Sequence, residues 1–150
     1  MEKPDICNVE KMKYEPLNNK DMKKLLGLIT ALYFGLASLN AMSYEEARDR
    51  ARFLTDKMAY ELNLNDQQYN DAYEINLDYL MNIRTASDAS SVYLEYRNAD
   101  LRFILYDWQY ALFQAATYFF RPVIWRTSGW FLPVYTIYSP SRFYYSPPRV

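Results

Sequence analysis

Asp71, Glu74 and Asp78 recur at spacings of three and four, so on a helix their carboxylates share one face. With Glu61 and Asp66 they are the side chains best placed to hold a hard cation through oxygen ligands, or to divide general acid and base roles. A solvated helix face has the same spacing, and a hard cation recruits more oxygens than one exposed stripe offers. We therefore read these carboxylates as solvated and assign no metal site. The remaining chemistry is sparse. The sequence has no histidine, which excludes Ser-His-Asp and Cys-His catalysis and histidine zinc sites. Its single cysteine, Cys7, falls in a stretch expected to be missing from the mature chain, which leaves no thiol, disulfide or thiolate metal site. A catalyst would have to work with carboxylates, tyrosines, serines and Lys57. The expectation is a protein that is not an enzyme, with no catalytic residues and no cofactor.

The N-terminal residues read as an address. From Met22 the sequence "MKKLLGLITALYFGLASLNAMS" gives a basic start, an uncharged and mostly apolar run from Leu25 to Leu39, and then small residues. That is the layout of a secretory signal peptide over residues 22–43, with cleavage after Ala41 or after Ser43. The run is shorter than the about 20 residues a membrane span needs. No cysteine follows it, so a lipid anchor has no acceptor. Residues 1–21 are charged and aperiodic, and are expected to be an upstream extension with Met22 the true start. The expected location is the periplasm or beyond.

The elements that must position any functional residue begin at Ser43. Ser43 and Glu46 have capping-box spacing, and Ala47, Ala51, Leu54, Met58 and Leu62 then mark one helical face. Arg48, Asp49, Arg52, Asp56 and Lys57 fall largely on other faces. Asn63 suits a left-handed helix stop. Leu64, Asn65 and Gln68 form a helix-break motif, in which Asn65 caps a second helix and Gln68 reaches back to it. Tyr69, Tyr73, Leu77, Leu80 and Ile83 give that helix its apolar stripe, so the two helices should form an antiparallel hairpin. Residues 84–91 compose a loop. A third helix should start near Ser90 or after Asn98 and carry Leu101, Leu105, Trp108, Leu112, Ala116 and Phe119 inward until Pro122 ends it. The prediction is an all-α domain over residues 44–121 with about three amphipathic helices. In the aromatic tail, residues 122–150, "VIW", "RTSG" and "WFLPVY" suit a short β-hairpin with Pro133 on an edge, and the last twelve residues read as extended or disordered.

Aromatic side chains wrap around the third helix, so something besides the first two helices should cover it. The candidate interaction surface is Tyr110, Phe113, Phe120, Arg121, Trp125, Arg126, Trp130 and Tyr135. Charge is divided unevenly along the chain: residues 44–107 carry seven basic and thirteen acidic side chains, and residues 108–150 carry four arginines and no acid. Arginines interleaved with aromatics suit nucleic acid, but export argues against it. An unfolded polypeptide, a fixed protein partner, a glycan, an anionic membrane surface or a second copy of the chain are the partners to expect. The plainer alternative is that the tail covers the third helix and binds nothing.

Two resemblances bear on these expectations. Leu64-Asn65-Asp66-Gln67-Gln68 resembles the LTxxQ motif of Spy- and CpxP-like periplasmic proteins, with asparagine in place of threonine and one copy where that family usually has two. The resemblance covers roughly residues 44–84. It implies a small exported helical protein acting as an ATP-independent chaperone or a stress-signalling modulator, although the net acidic helices here differ from the basic cradle of Spy. The blocks "MSYEEARDRARFLTDKMAYELNL", "YEINLDYLMNIRTASD", "NADLRFILYDWQYALF" and "YFFRPVIW" are similar to uncharacterised exported proteins of Bacteroidales, which implies an exported helical protein without a known activity. Together they point to a non-enzymatic envelope protein that binds exposed apolar polypeptide, or alternatively to a structural protein whose tail docks on a fixed partner.

Overall fold

Ser43 opens the first long helix in the computed structural model, which describes residues 18–24, 41–127 and 129–149. The chain divides into Met1–Leu36 and Ala37–Val150. In the first unit residues 19–24 are helical, started by Asn18, whose Oδ1 accepts the Lys20 N–H at 2.7 Å. The apolar run read as a signal peptide lies almost wholly in residues 25–40, outside the described residues. All that follows concerns the second unit.

Helix α1 spans Tyr44–Leu62, and the Ser43 hydroxyl accepts the Glu46 N–H at 3.2 Å. Glu46 itself pairs with Arg50 at 2.5 Å. Asn63 ends the helix in the left-handed region at φ 51°, as expected of a residue whose short amide side chain tolerates it. Helix α2, Asp66–Asn82, begins with a complete capping box: Asn65 accepts the Gln68 N–H at 2.9 Å, and Gln68 accepts the Asn65 N–H at 3.1 Å. The three-residue link folds α2 back along α1, and the Asn76 amide reaches the Thr55 hydroxyl across the pair at 2.8 Å. The predicted inward face of α1 is fully buried.

The third predicted helix is corrected to three pieces. Helix α3 spans Val92–Ile104, α4 spans Asp107–Ala115 and α5 spans Thr117–Phe120. Leu105 and Tyr106 are extended between α3 and α4, which resets the helical phase. Leu101, Leu105 and Phe119 still face the core, but Trp108 and Leu112 turn to solvent while Gln109 and Phe113 take the buried positions. A single 3.6-residue period carried across the break puts the wrong residues inside.

The hairpin in the tail is present: β1, Ile124–Arg126, pairs antiparallel with β2, Gly129–Phe131, placing Trp125 opposite Trp130. Their rings meet edge to face at 4.8 Å. Pro133 does not sit on the strand edge. The strand has already ended, and Pro133 opens a 3₁₀ turn over Pro133–Thr136, where its fixed φ suits the first position. The fold is all-α with one short β-hairpin.

The helix ends meet at two buried glutamines. The Gln68 amide donates to the Ile104 carbonyl at 2.9 Å and to Gln109 Oε1 at 2.7 Å. Gln109 donates to the Leu62 carbonyl at 3.1 Å and back to Gln68 Oε1 at 3.1 Å. Gln109 Oε1 also accepts the Tyr106 N–H at 2.9 Å. Gln68 thus both caps α2 and joins the ends of α1, α3 and α4. Asn65→Ala should cost about 1 kcal/mol, the usual value for a lost N-cap. Gln68→Ala should cost more, up to about 3 kcal/mol, because it leaves the buried Gln109 and Ile104 groups without their partner. Urea unfolding of the two variants measures the difference, and equal costs would reduce Gln68 to a cap.

Candidate interaction surface

The eight predicted surface residues do not form one exposed face. Phe113 and Trp130 are in the core, which corrects the expectation for both. Phe113 is enclosed because α4 starts anew at Asp107 and turns it toward Tyr110 and Phe120, with ring centroids 5.6 Å away in each case. Trp130 is enclosed against Trp125 across the hairpin. Tyr110, Phe120, Trp125 and Tyr135 are half-buried, and Tyr135 lies on Phe53 of α1 at 4.8 Å. Arg121 and Arg126 are exposed, the latter with its guanidinium 4.2 Å from the Phe131 ring. In the helix-break motif Leu64 and Gln68 are buried and Asn65 is exposed, so the motif serves the fold.

The tail covers α1 and the start of α2, where the expectation had it lying on the third helix. Its residues 137–149 form neither helix nor strand, yet they cross the polar side of α1. Asp56 and Lys57, expected on outward faces, are consequently buried to 0 % exposure. Asp56 accepts the N–H groups of Tyr144 at 2.9 Å and Tyr145 at 2.8 Å, while Lys57 donates to Asp56 at 2.7 Å and to the Arg142 carbonyl. The rings of Phe53, Tyr138, Phe143 and Tyr144 surround the ammonium at 4.6–5.5 Å. Burying such a pair is tolerable only when each charge is matched and its remaining hydrogen-bonding capacity used, and here both conditions hold.

Glu61 is another anchor, accepting the hydroxyls of Tyr118 at 2.7 Å and Tyr138 at 2.6 Å. Burial, and then that carboxylate, push Tyr118 up to about 12 and Tyr138 further in the same direction. Burial also raises Tyr79 and Tyr69 to about 12, with Asp56 adding to the shift of Tyr69. Arg97 is buried between α3, α2 and α5. Its donors reach Asn76 at 2.8 Å, Asn98 at 2.9 Å and the Phe119 carbonyl at 3.0 Å, all neutral acceptors, and burial lowers its pKa to about 9.

The exposed aromatic face lies elsewhere, on α3 and α4. Phe103 is 92 % exposed, and Tyr96, Tyr106 and Trp108 are at least half exposed, with Leu112 and Val92 close behind. Val92, Tyr96, Ala99 and Phe103 follow spacings of four, three and four, so α3 carries one apolar stripe outward and another, with Leu94 and Leu101, inward. That second stripe was the sequence signal for this face; a search for a single amphipathic stripe passes over it. Glu95, Asp100 and Asp107 are exposed in the same segment, and Asp107 pairs with Arg102 at 2.6 Å.

Among the first candidates, Asp71 accepts from Gln67 at 2.8 Å, and Asp78 accepts from Asn82 at 3.2 Å. Among the described residues, no group of three or more His, Cys, Asp or Glu is disposed to hold a metal ion. No helix among the described residues is long and apolar enough to cross a membrane.

Residues 39–101 match the model of a domain of unknown function, DUF4890. The matched segment takes in α1, α2 and most of α3, including the Asp56–Lys57 pair and, of the exposed aromatic face, Val92 and Tyr96; Phe103 lies just beyond it. Its pattern stops short of α4 and of the tail. No curated protein and no solved structure matches the chain.

Because folding raises the pKa of Tyr69, Tyr79 and Tyr118 to about 12 and raises that of Tyr138 further, their neutral phenols stabilise the fold fully below pH 10, and that contribution is lost as the pH rises through the raised values. Phenolate absorbance should therefore lag in the native chain relative to the chain in urea between pH 10 and 12. Coincident titration curves would mean that these phenols are as free in the folded chain as in the unfolded one.

Proposed function

We propose that this chain is an exported, non-enzymatic protein of the cell envelope that binds exposed apolar segments of other polypeptides through the aromatic face of α3 and α4. The observation that carries the reading is the exposure of Phe103 together with Tyr96, Tyr106 and Trp108. Large aromatics left in water close together in sequence mark a candidate interaction site, and aromatics are enriched at protein interfaces. The aromatic tail, by contrast, is engaged with its own chain, which favours α3 and α4 over the tail as the surface a partner meets. Export rests on the basic start, apolar run and small residues at 22–43.

The binding mode would be weak burial of a client's apolar side chains, in keeping with the resemblance of the helix break to Spy-like chaperones. Glu95, Asp100 and Asp107 beside the aromatics would favour clients whose apolar segments are flanked by basic residues, since unlike charges speed encounter and suppress wrong partners.

Purified residues 44–150 should suppress light scattering by two unrelated aggregating clients at near-stoichiometric ratios. Replacing Phe103 and Trp108 together with serine should abolish that suppression. Phe103 is almost wholly in water, so its replacement should change unfolding stability by less than about 0.5 kcal/mol, while Trp108, half in water, should cost about 1–2 kcal/mol and leave the protein folded. If the unaltered protein suppresses neither client, the general binding reading fails and a dedicated envelope partner takes its place.

A further inference from the structure

The hydrogen bonds from α1 and α2 to the tail are made largely to the tail's main chain. Asp56 accepts from two successive amides, those of Tyr144 and Tyr145, at 2.9 and 2.8 Å. Lys57 donates to the Arg142 carbonyl, and the Tyr69 hydroxyl donates to the Ser146 carbonyl at 3.1 Å. Asn70 accepts the Arg149 N–H at 2.9 Å. Side chains add a second layer of recognition: Tyr144 stacks on Tyr60 with ring centroids 4.1 Å apart, and Arg52 lies 4.4 Å over the Phe143 ring. Two open clefts continue the groove on either side, one of about 270 Å³ beside Tyr145 and Arg149 and one of about 320 Å³ beside Pro140 and Phe143.

Backbone groups satisfied from outside the segment, with rings in adjoining pockets, are how a receptor binds an extended peptide. The connection that leads into the segment is open to solvent: Thr136, Ile137 and Ser139 are exposed. Pro140, Pro147 and Pro148 carry no N–H, so the segment asks for few main-chain partners beyond those that α1 and α2 supply.

We propose that the α1–α2 groove is a binding site for an aromatic peptide, that the chain's own residues 140–149 are its resident ligand, and that a second copy can supply the same segment in exchange. Asp56 is the recognition residue for the two successive amides, and Lys57 within its aromatic surround reads the preceding carbonyl. Exchange of an identical terminal segment preserves every contact and costs little beyond the loss of tethering. Because that tether holds the segment at an effective concentration in the millimolar range, the copy's own tail wins in dilute solution. This inference does not depend on the function proposed for the α3–α4 face.

The test uses the full chain with a specific protease site placed at residues 139–141 and cut after folding. A labelled peptide of residues 140–150 should enter the cut protein saturably and bind the uncut protein at least tenfold more weakly. Asp56→Asn should weaken binding to the cut protein at least tenfold. If that variant does not fold, methylating the Tyr144 and Tyr145 amide nitrogens of the peptide should give the same loss on the unaltered protein. Concentrating the uncut chain after partial unfolding should yield a dimer that the free peptide dissociates. Failure of the cut protein to stay folded or to bind the peptide, or binding indifferent to the two amides, would overturn the site. Peptide binding without a dimer would overturn the second copy as an occupant.

Discussion

Four helix termini converge on the paired side chains of Gln68 and Gln109, and the rest of the fold depends on that junction. Helix ends leave main-chain donors and acceptors that water cannot reach once the ends are packed together. The two amides offer donors and acceptors in equal number, so each can bond the other and still serve a carbonyl of a neighbouring terminus. This lets α1, α2, α3 and α4 meet closely without stranded polar groups. It also fixes where α3 stops and α4 starts, because the same Gln109 oxygen takes the Tyr106 N–H that opens α4. The orientation of α4 in turn decides that Phe113 is core and Trp108 is surface.

Among the described residues charge is fully buried at two places, Asp56–Lys57 and Arg97, and they are managed differently. Asp56 and Lys57 neutralise each other and use tail amides and a tail carbonyl for the remaining bonds, with aromatic faces around the ammonium. Removing one partner from such a pair leaves an uncompensated charge, so the pair makes the tail's position a condition of α1's own stability. Arg97 has neutral partners: amide oxygens of Asn76 and Asn98 and the carbonyl near the end of α5. Burial without a matching anion is why its pKa falls to about 9. It holds α2, α3 and α5 in one place, and the cost of its desolvation is borne by hydrogen bonds that it could equally make to water.

These anchors divide the aromatic residues into two populations. Those of the tail and hairpin are committed to the chain itself: Tyr135 and Phe143 to Phe53, Tyr144 to Tyr60, Tyr145 to Tyr69 and Trp125 to Trp130. Those on the outer side of α3 and the start of α4 meet solvent. The arginines of the tail are distributed in a similar way, with Arg126 over Phe131 and Arg142 over Tyr144. A sequence in which arginine and tyrosine alternate therefore need not describe a binding strip. It can describe a strap.

What the sequence by itself determined is local: the caps at Ser43 and Asn65, the left-handed stop at Asn63, the inward faces of α1 and α2, and the turn of the hairpin. Each follows from neighbours within a few residues, where backbone preference and helical period dominate. The tertiary structure alone decided the break at Leu105 and Tyr106, because the hydrogen bonds that stabilise it come from Gln109 and, through Gln68, from residues forty positions away in sequence. It also decided that Asp56 and Lys57 are interior. Nothing near them in sequence distinguishes them from Arg48 and Asp49 on the same helix. Only the return of the tail across α1, more than eighty residues later, supplies the amides and rings that make their burial tolerable.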